Sequence, residues 1–379
     1  MQFVVVGNPE NRRVQFLKEA IAKKGLPELK VVSYQSLLEN REVLAEVLSP
    51  GCCLKVESPG ENPEAFQKLV ALGEDSVPDY FNKIPAHKIL STPLEFGRIQ
   101  YGAQWYAGFS KLLDEIDNLL TKHPEVQVVN APGEIKMLFD KVACSQEFLK
   151  QGISAPPFLG VVRSYDHLQE ILQTTGHKQV FIKPAHGSSA SGVMAYRQNS
   201  QGKELMTTSV EMVKEGFEIK LFNNLKIRKY NKKEDIATII NTLAKEHLYM
   251  EQWLPKTQTE NGLFDLRCVS IGGKARQMVM RQSHHPMTNL HLGNQRGDLE
   301  QLQNRLPEDQ WHSILQIAEK AARVFPQSNV LGLDIALNPK QKNPFVIEAN
   351  AFGDLLPHVL HRGETTYEAM VTYYLQQNA

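Results

Sequence analysis

Short apolar runs alternate with amphipathic stretches over the first third of the chain. Phe3–Gly7 is β-branched and stops at Gly7-Asn8-Pro9. Val14, Leu17, Ala20 and Ile21 then recur on one helical stripe, and Val31–Val32 is a second apolar stretch. This strand–helix–strand order predicts a parallel sheet. Residues 56–63 and 77–93 are Pro-rich turns or loops. Val126–Asn130 reads as the last strand of the region, with Ala131-Pro132-Gly133 as its boundary. A helix is predicted from Glu134 to Gln151, ended by Gly152, followed by the rigid connector Ser154-Ala155-Pro156-Pro157. Val180–Lys183 is a strand that runs into the glycine- and serine-rich stretch Gly187–Gly192, and His247–Leu254 is another strand and turn. Asp265–Ile271 and Ala275–Arg281 flank Gly272-Gly273, a hairpin signal. Pro307–Phe325 carries Trp311, Leu315, Ala318, Ala322 and Phe325 at helical spacing. Leu331–Leu337 and Phe345–Ala349 are two strands joined by Asn338–Pro344.

Composition narrows the function classes. The chain has 379 residues, and its 42 Lys plus Arg equal its 42 Asp plus Glu. Such balance lacks the footprint of a general nucleic-acid or anionic-membrane binder. No apolar run reaches the roughly 18 residues of a transmembrane helix. Phe3–Val6 is too short and unflanked by basic residues to be a signal peptide. The four cysteines, Cys52, Cys53, Cys144 and Cys268, form no C-x-x-C pair, which fits free thiols and a cytoplasmic location.

The chemistry concentrates late in the chain. Glu348 and Asn350 fall on one face of a strand that is otherwise apolar, and Asp334 interrupts the neighbouring apolar strand. A short connection predicts antiparallel pairing, which would bring two carboxylates and an amide together. Adjacent anions repel unless protonated or neutralised, and Mg²⁺ with oxygen ligands would resolve this. The plainer alternative is a separate salt bridge or cap at each residue. Lys183 ends a strand ahead of a loop of small residues, whose backbone N–H groups can approach phosphate oxygens. Val193 follows where a Walker loop requires Lys, so this is not a P-loop. An ordinary surface loop is the alternative.

Taken together, these residues resemble the ATP-grasp superfamily over about residues 131–379. The motifs are Phe139-Asp140-Lys141, the strand-end Lys183, the hinge Tyr249–Leu254, Asp265-Leu266-Arg267, Asn289-Leu290-His291, and Asp334 with the E-x-N of Glu348 and Asn350. The resemblance is nearest to the glutathione synthetase-like and ribosomal-protein glutamate ligase branch. Almost the whole chain is also similar to an uncharacterised bacterial branch. One departure follows the E-x-N, where Ala351-Phe352-Gly353-Asp354 keeps a glycine but lacks the proline of many relatives.

The resemblance implies an α+β ATP-grasp fold, two subdomains clasping ATP (131–250 and 251–379), preceded by an α/β pre-grasp domain over 1–130. Lys141 and Lys183 would contact phosphates, with Ser188, Ser189, Ser191 and Gly192 in the phosphate loop. The backbone at Glu251 and Leu254 would hold adenine, with Gln252 and Trp253 in the same hinge. Asp334, Glu348 and Asn350 would hold one or two Mg²⁺ ions, with Mn²⁺ an admissible substitute. The implied activity is an ATP-dependent carboxylate–amine (or thiol) ligase that forms ADP through an acylphosphate. The rivals are an ATP-grasp phosphotransferase and a non-catalytic ATP-binding module. Arg267, beside Asp265 on one strand face, and Arg281 are candidates to orient the carboxylate, with Asn289 a third catalytic candidate. The partners would be a small-molecule or peptide carboxylate and an amine, with no nucleic acid and no membrane. A homo-oligomer is left open.

Three further features have plain readings. Phe96, Tyr101, Trp105, Tyr106 and Phe109 are spaced as core aromatics, although they could also line a substrate pocket. His284, His285 and His291 lack zinc spacing. The basic run Lys226, Arg228, Lys229, Lys232 and Lys233 reads as a solvated face, or as a site for an acidic substrate.

Overall fold

The computed structural model describes all residues except 61, 188–189, 340–342, 353–355 and 378–379. Three sheets organise the chain. The first is parallel, ordered Lys30–Val32, Phe3–Val6, Cys53–Val56, Gln127–Val128. The middle sheet is antiparallel throughout. Its order is Phe158–Val162, Leu248–Gln252, Gln179–Pro184, Met194–Gln198, Glu204–Glu215, Glu218–Tyr230. The third, also antiparallel, runs Gln295–Gly297, Lys274–Ser283, Gly262–Ile271, Val330–Leu337, Pro344–Asn350, with Gln258–Thr259 paired to Gly262–Ile271. Among the described residues, no helix is long and apolar enough to cross a membrane.

The cores tie the first and third sheets together. Val4, Val6, Leu54 and Phe109 share one buried cluster with Phe264, Leu333, Val346 and Phe352. A second cluster joins Phe3 and Val5 to Val269, Val330 and Met370. Asn130 links the two bodies by polar contacts. Its side-chain amide donates to the Val330 carbonyl at 2.8 Å, and its oxygen accepts from the Val330 N–H at 3.0 Å. The middle sheet has a core of its own, built from Val162, Leu168, Ile182, Tyr196, Ile240 and Met250. Burying each such Val, Leu or Ile contributes about 1.5–3 kcal/mol.

The long helix expected from Glu134 to Gln151 is two helices, Pro132–Phe139 and Lys141–Lys150. Asp140 breaks it because its carboxylate caps the second helix, accepting from the Val142 and Ala143 N–H groups. Lys141 thereby becomes a first-turn residue instead of a mid-helix one. The strand Leu248–Gln252 runs across the 250/251 division drawn from the sequence. The hairpin Glu204–Glu215 with Glu218–Tyr230 was not foreseen. Its outer half is solvated on both faces and leaves Phe217, Ile219 and Leu225 exposed, so no clean two-residue alternation marks it. Of the aromatic segment, Phe109 is buried whereas Phe96 is exposed.

Glycine decides one packing contact. The helices Pro63–Leu72 and Gly102–Leu120 cross so closely that a Cβ on Gly108 would stand 1.8 Å from the Leu69 carbonyl oxygen. Overpacking of this kind typically costs about 1–3 kcal/mol, and a backbone clash belongs at the upper end. Gly108→Ala should therefore lower the urea unfolding free energy by about 3 kcal/mol. Gly133→Ala, where a Cβ meets nothing within 4 Å, should change it by less than about 1 kcal/mol.

Candidate functional site

One cavity gathers most of the predicted chemistry. It lies between the middle and third sheets, and its volume is about 130 Å³. Lys183, Glu251, Gln252 and Leu254 come from the middle sheet and the chain leaving it, and Lys141 from the helix start fixed by Asp140. Asp265, Arg267, Arg281, Asp334, Glu348 and Asn350 come from the third sheet.

Strand register brings the charges together. Asp334 lies directly opposite Glu348 on one side and opposite Arg267 on the other. Asp265 is opposite Arg281. Opposed residues of antiparallel strands project from the same face, so these groups form a patch on one sheet surface. Arg267 donates to both oxygens of Asp334, the longer contact being 3.1 Å. Arg281 bridges two carboxylates, with Nε at 2.7 Å from Asp265 and Nη2 at 3.0 Å from Asp334. Lys141 Nζ lies 2.8 Å from Glu348, and Lys183 pairs with Glu251. Lys256 donates to Thr288 at 2.9 Å and approaches Asp265 at 3.4 Å, while Thr288 donates to the same carboxylate. Five cations thus face four carboxylates, and they pair with one another.

The titration behaviour follows from this crowding. Burial raises the Asp265 carboxyl, but Arg281 and then Lys256 outweigh it and hold the group below the ordinary value. Glu348 is likewise raised by burial and brought below normal by Lys141, with help from Lys183 and Arg267. Burial dominates at Lys256 and lowers its ammonium. It also pushes the Cys144 thiol up to about 12, aided by the charge of Glu348.

Ser191 and Asn289 also line the cavity, as the sequence predicts for the site. Gly192 and Trp253 lie outside the lining. Trp253 packs against Phe181 with ring centroids 5.0 Å apart, and it borders a different surface cavity. Ser188 and Ser189 fall outside the described residues. Arg267 does not pair with Asp265 but bonds Asp334 across the strands, because a cross-strand neighbour is closer than the residue two places along the same strand. Sequence reading missed Lys256 and Thr288. Lys256 stands in a turn with no motif around it, and only its burial beside Asp265 marks it.

Among the described residues, no group of three or more His, Cys, Asp and Glu is placed to hold a metal ion. The donor set here is two opposed carboxylates and an amide, Asp334, Glu348 and Asn350. Hard oxygen donors of this number suit Mg²⁺ when substrate phosphates complete the shell, and do not suit zinc.

Asp265 offers a test of the electrostatics. A depressed carboxyl contributes stability that is present above its unfolded value and is lost as the pH falls through its folded value. Wild-type unfolding free energy should decline on acidification below about pH 5. Asp265→Asn should lose about 3–5 kcal/mol at neutral pH, because the buried Lys256 loses its carboxylate and Arg281 loses one of its two. Urea midpoints measured across pH should also show a flatter acid limb for the variant.

Comparison with known proteins bears on the family and the fold. Residues 136–375 match the model of the YheC/D like ATP-grasp family. A search of curated proteins finds no match. Several solved structures share the fold. D-cycloserine synthetase DcsG superposes with a TM-score of 0.57 at 11% identity, covering 98% of this chain and 99% of its own. The ATP-grasp ligase PsnB, complexed with a phosphomimetic variant of its minimal precursor, Mg and ADP, gives 0.55 at 14% identity over 100% of this chain and 98% of its own. D-alanine–D-alanine ligase from Bacillus anthracis gives 0.53 at 12% identity over 99% and 96%. These likenesses carry the fold, while the narrower glutathione synthetase-like affinity rests on motifs alone. With the family match spanning well over half of its length, the chain belongs to the YheC/D-like ATP-grasp family.

Proposed function

We propose that this protein is an ATP- and Mg²⁺-dependent ligase that joins a carboxylate to an amine (or thiol) and releases ADP and phosphate. The observation that carries the reading is the opposed pair Asp334 and Glu348 in one cavity with Lys141 and Lys183. Such a site offers oxygen ligands to magnesium and ammonium groups to phosphate. The solved ligases of the same fold support it.

In this reading Asp334, Glu348 and Asn350 would hold the metal, which would supply charge neutralisation for the phosphates. Lys141 exchanges Glu348 for a phosphate oxygen, and Lys183 exchanges Glu251. The hinge from Glu251 to Leu254, including Gln252, borders adenine, and Ser191 stands in the phosphate loop. Arg267 and Arg281 turn from Asp334 toward the substrate carboxylate, whose planar anion suits guanidinium geometry. That carboxylate attacks the γ-phosphorus, and the bond to ADP breaks. The amine then attacks the acyl carbon of the acylphosphate, phosphate departs, and the amine proton passes to solvent. Asn289 lines the same cavity as Arg267 and Arg281 and would serve as an orienting amide.

Mass spectrometry of products tests the reaction class. A purified enzyme incubated with ATP, Mg²⁺ and pools of carboxylates and amines should yield ADP, free phosphate and a condensed product. Phosphate retained on an organic product would instead mark phosphotransfer, and ATP binding without turnover a regulatory module. Asp334→Asn should reduce kcat by about a thousandfold, equivalent to about 4 kcal/mol of lost transition-state stabilisation. Lys183→Gln should chiefly raise KM for ATP.

A further inference from the structure

A second cavity, of about 180 Å³, adjoins the first and shares Lys141, Arg267, Arg281 and Asn350 with it. Its other polar wall is supplied by the first sheet, through Arg13, Ser58 and Gly60. The two cavities differ in charge. Four carboxylates line the first, whereas the described lining of the second contains no aspartate or glutamate at all. Leu138, Phe139, Phe352 and Leu356 give it an apolar flank.

The first sheet presents this wall for a topological reason. The chain leaves Phe3–Val6 toward Lys30–Val32 on one side, then returns to Cys53–Val56 on the other. In parallel sheets, ligands bind in the crevice beyond the carboxyl ends where the order reverses. Arg13 follows the carboxyl end of Phe3–Val6, and Ser58 and Gly60 follow that of Cys53–Val56.

Arg13 is also short of a counter-charge. It stands in the first turn of the helix Arg12–Lys23, a turn that holds no acidic residue. A cation there opposes the helix dipole. Among the described residues its nearest carboxylate is Glu57 at 4.0 Å, and the buried Lys55 already holds that group. On the shared wall, Arg267 keeps a buried Nη1 without a hydrogen-bond partner. Two guanidinium groups, one on the helix that follows Phe3–Val6 and one on the third sheet, therefore have donors to spare around a cavity whose described lining holds no carboxylate.

Resting on the ligase reading above, we infer that the carboxylate substrate is a dicarboxylate. Its reacting carboxylate meets Arg267 and Arg281, its distal carboxylate is read by Arg13 beside Ser58, and its hydrocarbon spacer lies along Phe139 and Phe352. Arg13 is then the residue that sets substrate specificity.

Calorimetric binding of dicarboxylates from malonate to suberate, against the matching monocarboxylates, tests this in the presence of Mg²⁺ and ADP. Wild-type protein should bind at least one dicarboxylate about tenfold or more tightly than its monocarboxylate partner, a difference of about 1.4 kcal/mol. Arg13→Gln should erase that preference and Arg13→Lys should keep part of it. ADP affinity, measured on each variant, separates a lost subsite from a lost fold. A preference that survives in Arg13→Gln, or a wild-type protein that prefers no dicarboxylate, overturns the inference. ADP release assayed in parallel divides the two claims. Turnover of monocarboxylates alone keeps the ligase and removes the dicarboxylate. Arg13-dependent dicarboxylate binding with no ADP release for any amine keeps the subsite and removes the ligase.

Discussion

The opposition of Asp334 and Glu348 is the constraint from which the rest of the site follows. Antiparallel register leaves these two carboxylates side by side within apolar strands. Neither can share that place as an anion without compensation. The chain supplies compensation through three residues. Arg267 and Arg281 reach Asp334 from the same sheet, and Lys141 reaches Glu348 from a helix start that Asp140 fixes. Asp334 would keep one guanidinium if the other were removed, whereas loss of Lys141 would leave Glu348 without a direct counter-ion, which is more costly than removing a surface pair.

A cavity that neutralises itself is also one that exchanges partners cheaply. A polyphosphate brings anions for the lysines, and a divalent cation brings positive charge for the carboxylates, so each broken pair is replaced by a new one of the same sign. The cost of desolvation has already been met by the fold. The separate core of the middle sheet bears on this as well. Lys183 and Glu251 belong to a body with its own apolar interior, while Asp334 and Glu348 belong to one fused to the first sheet. The charged groups of the two bodies meet across the cavity.

Much of this was legible in the residues. The apolar strands that carry Asp334, Glu348 and Lys183 announce themselves by composition, and so does the Gly272-Gly273 hairpin. Antiparallel pairing of the two late strands followed from their short connection. Other features depend on register and tertiary approach, which local patterns do not encode. The partner of Arg267 could be chosen only once the cross-strand alignment with Asp334 was known. Lys256 has no motif and is marked by burial alone. The break at Asp140 was hidden because a capping aspartate leaves the apolar periodicity on both sides nearly intact. The outer half of the long hairpin lacks an apolar face to betray it.

The most direct test is a crystal structure of the protein with Mg²⁺ and a non-hydrolysable ATP analogue. Partner exchange predicts electron density for metal against Asp334, Glu348 and Asn350, phosphate oxygens on Lys141 and Lys183, and guanidinium groups withdrawn from Asp334. A nucleotide bound elsewhere, with the Arg267–Asp334 and Lys141–Glu348 pairs intact, would contradict it.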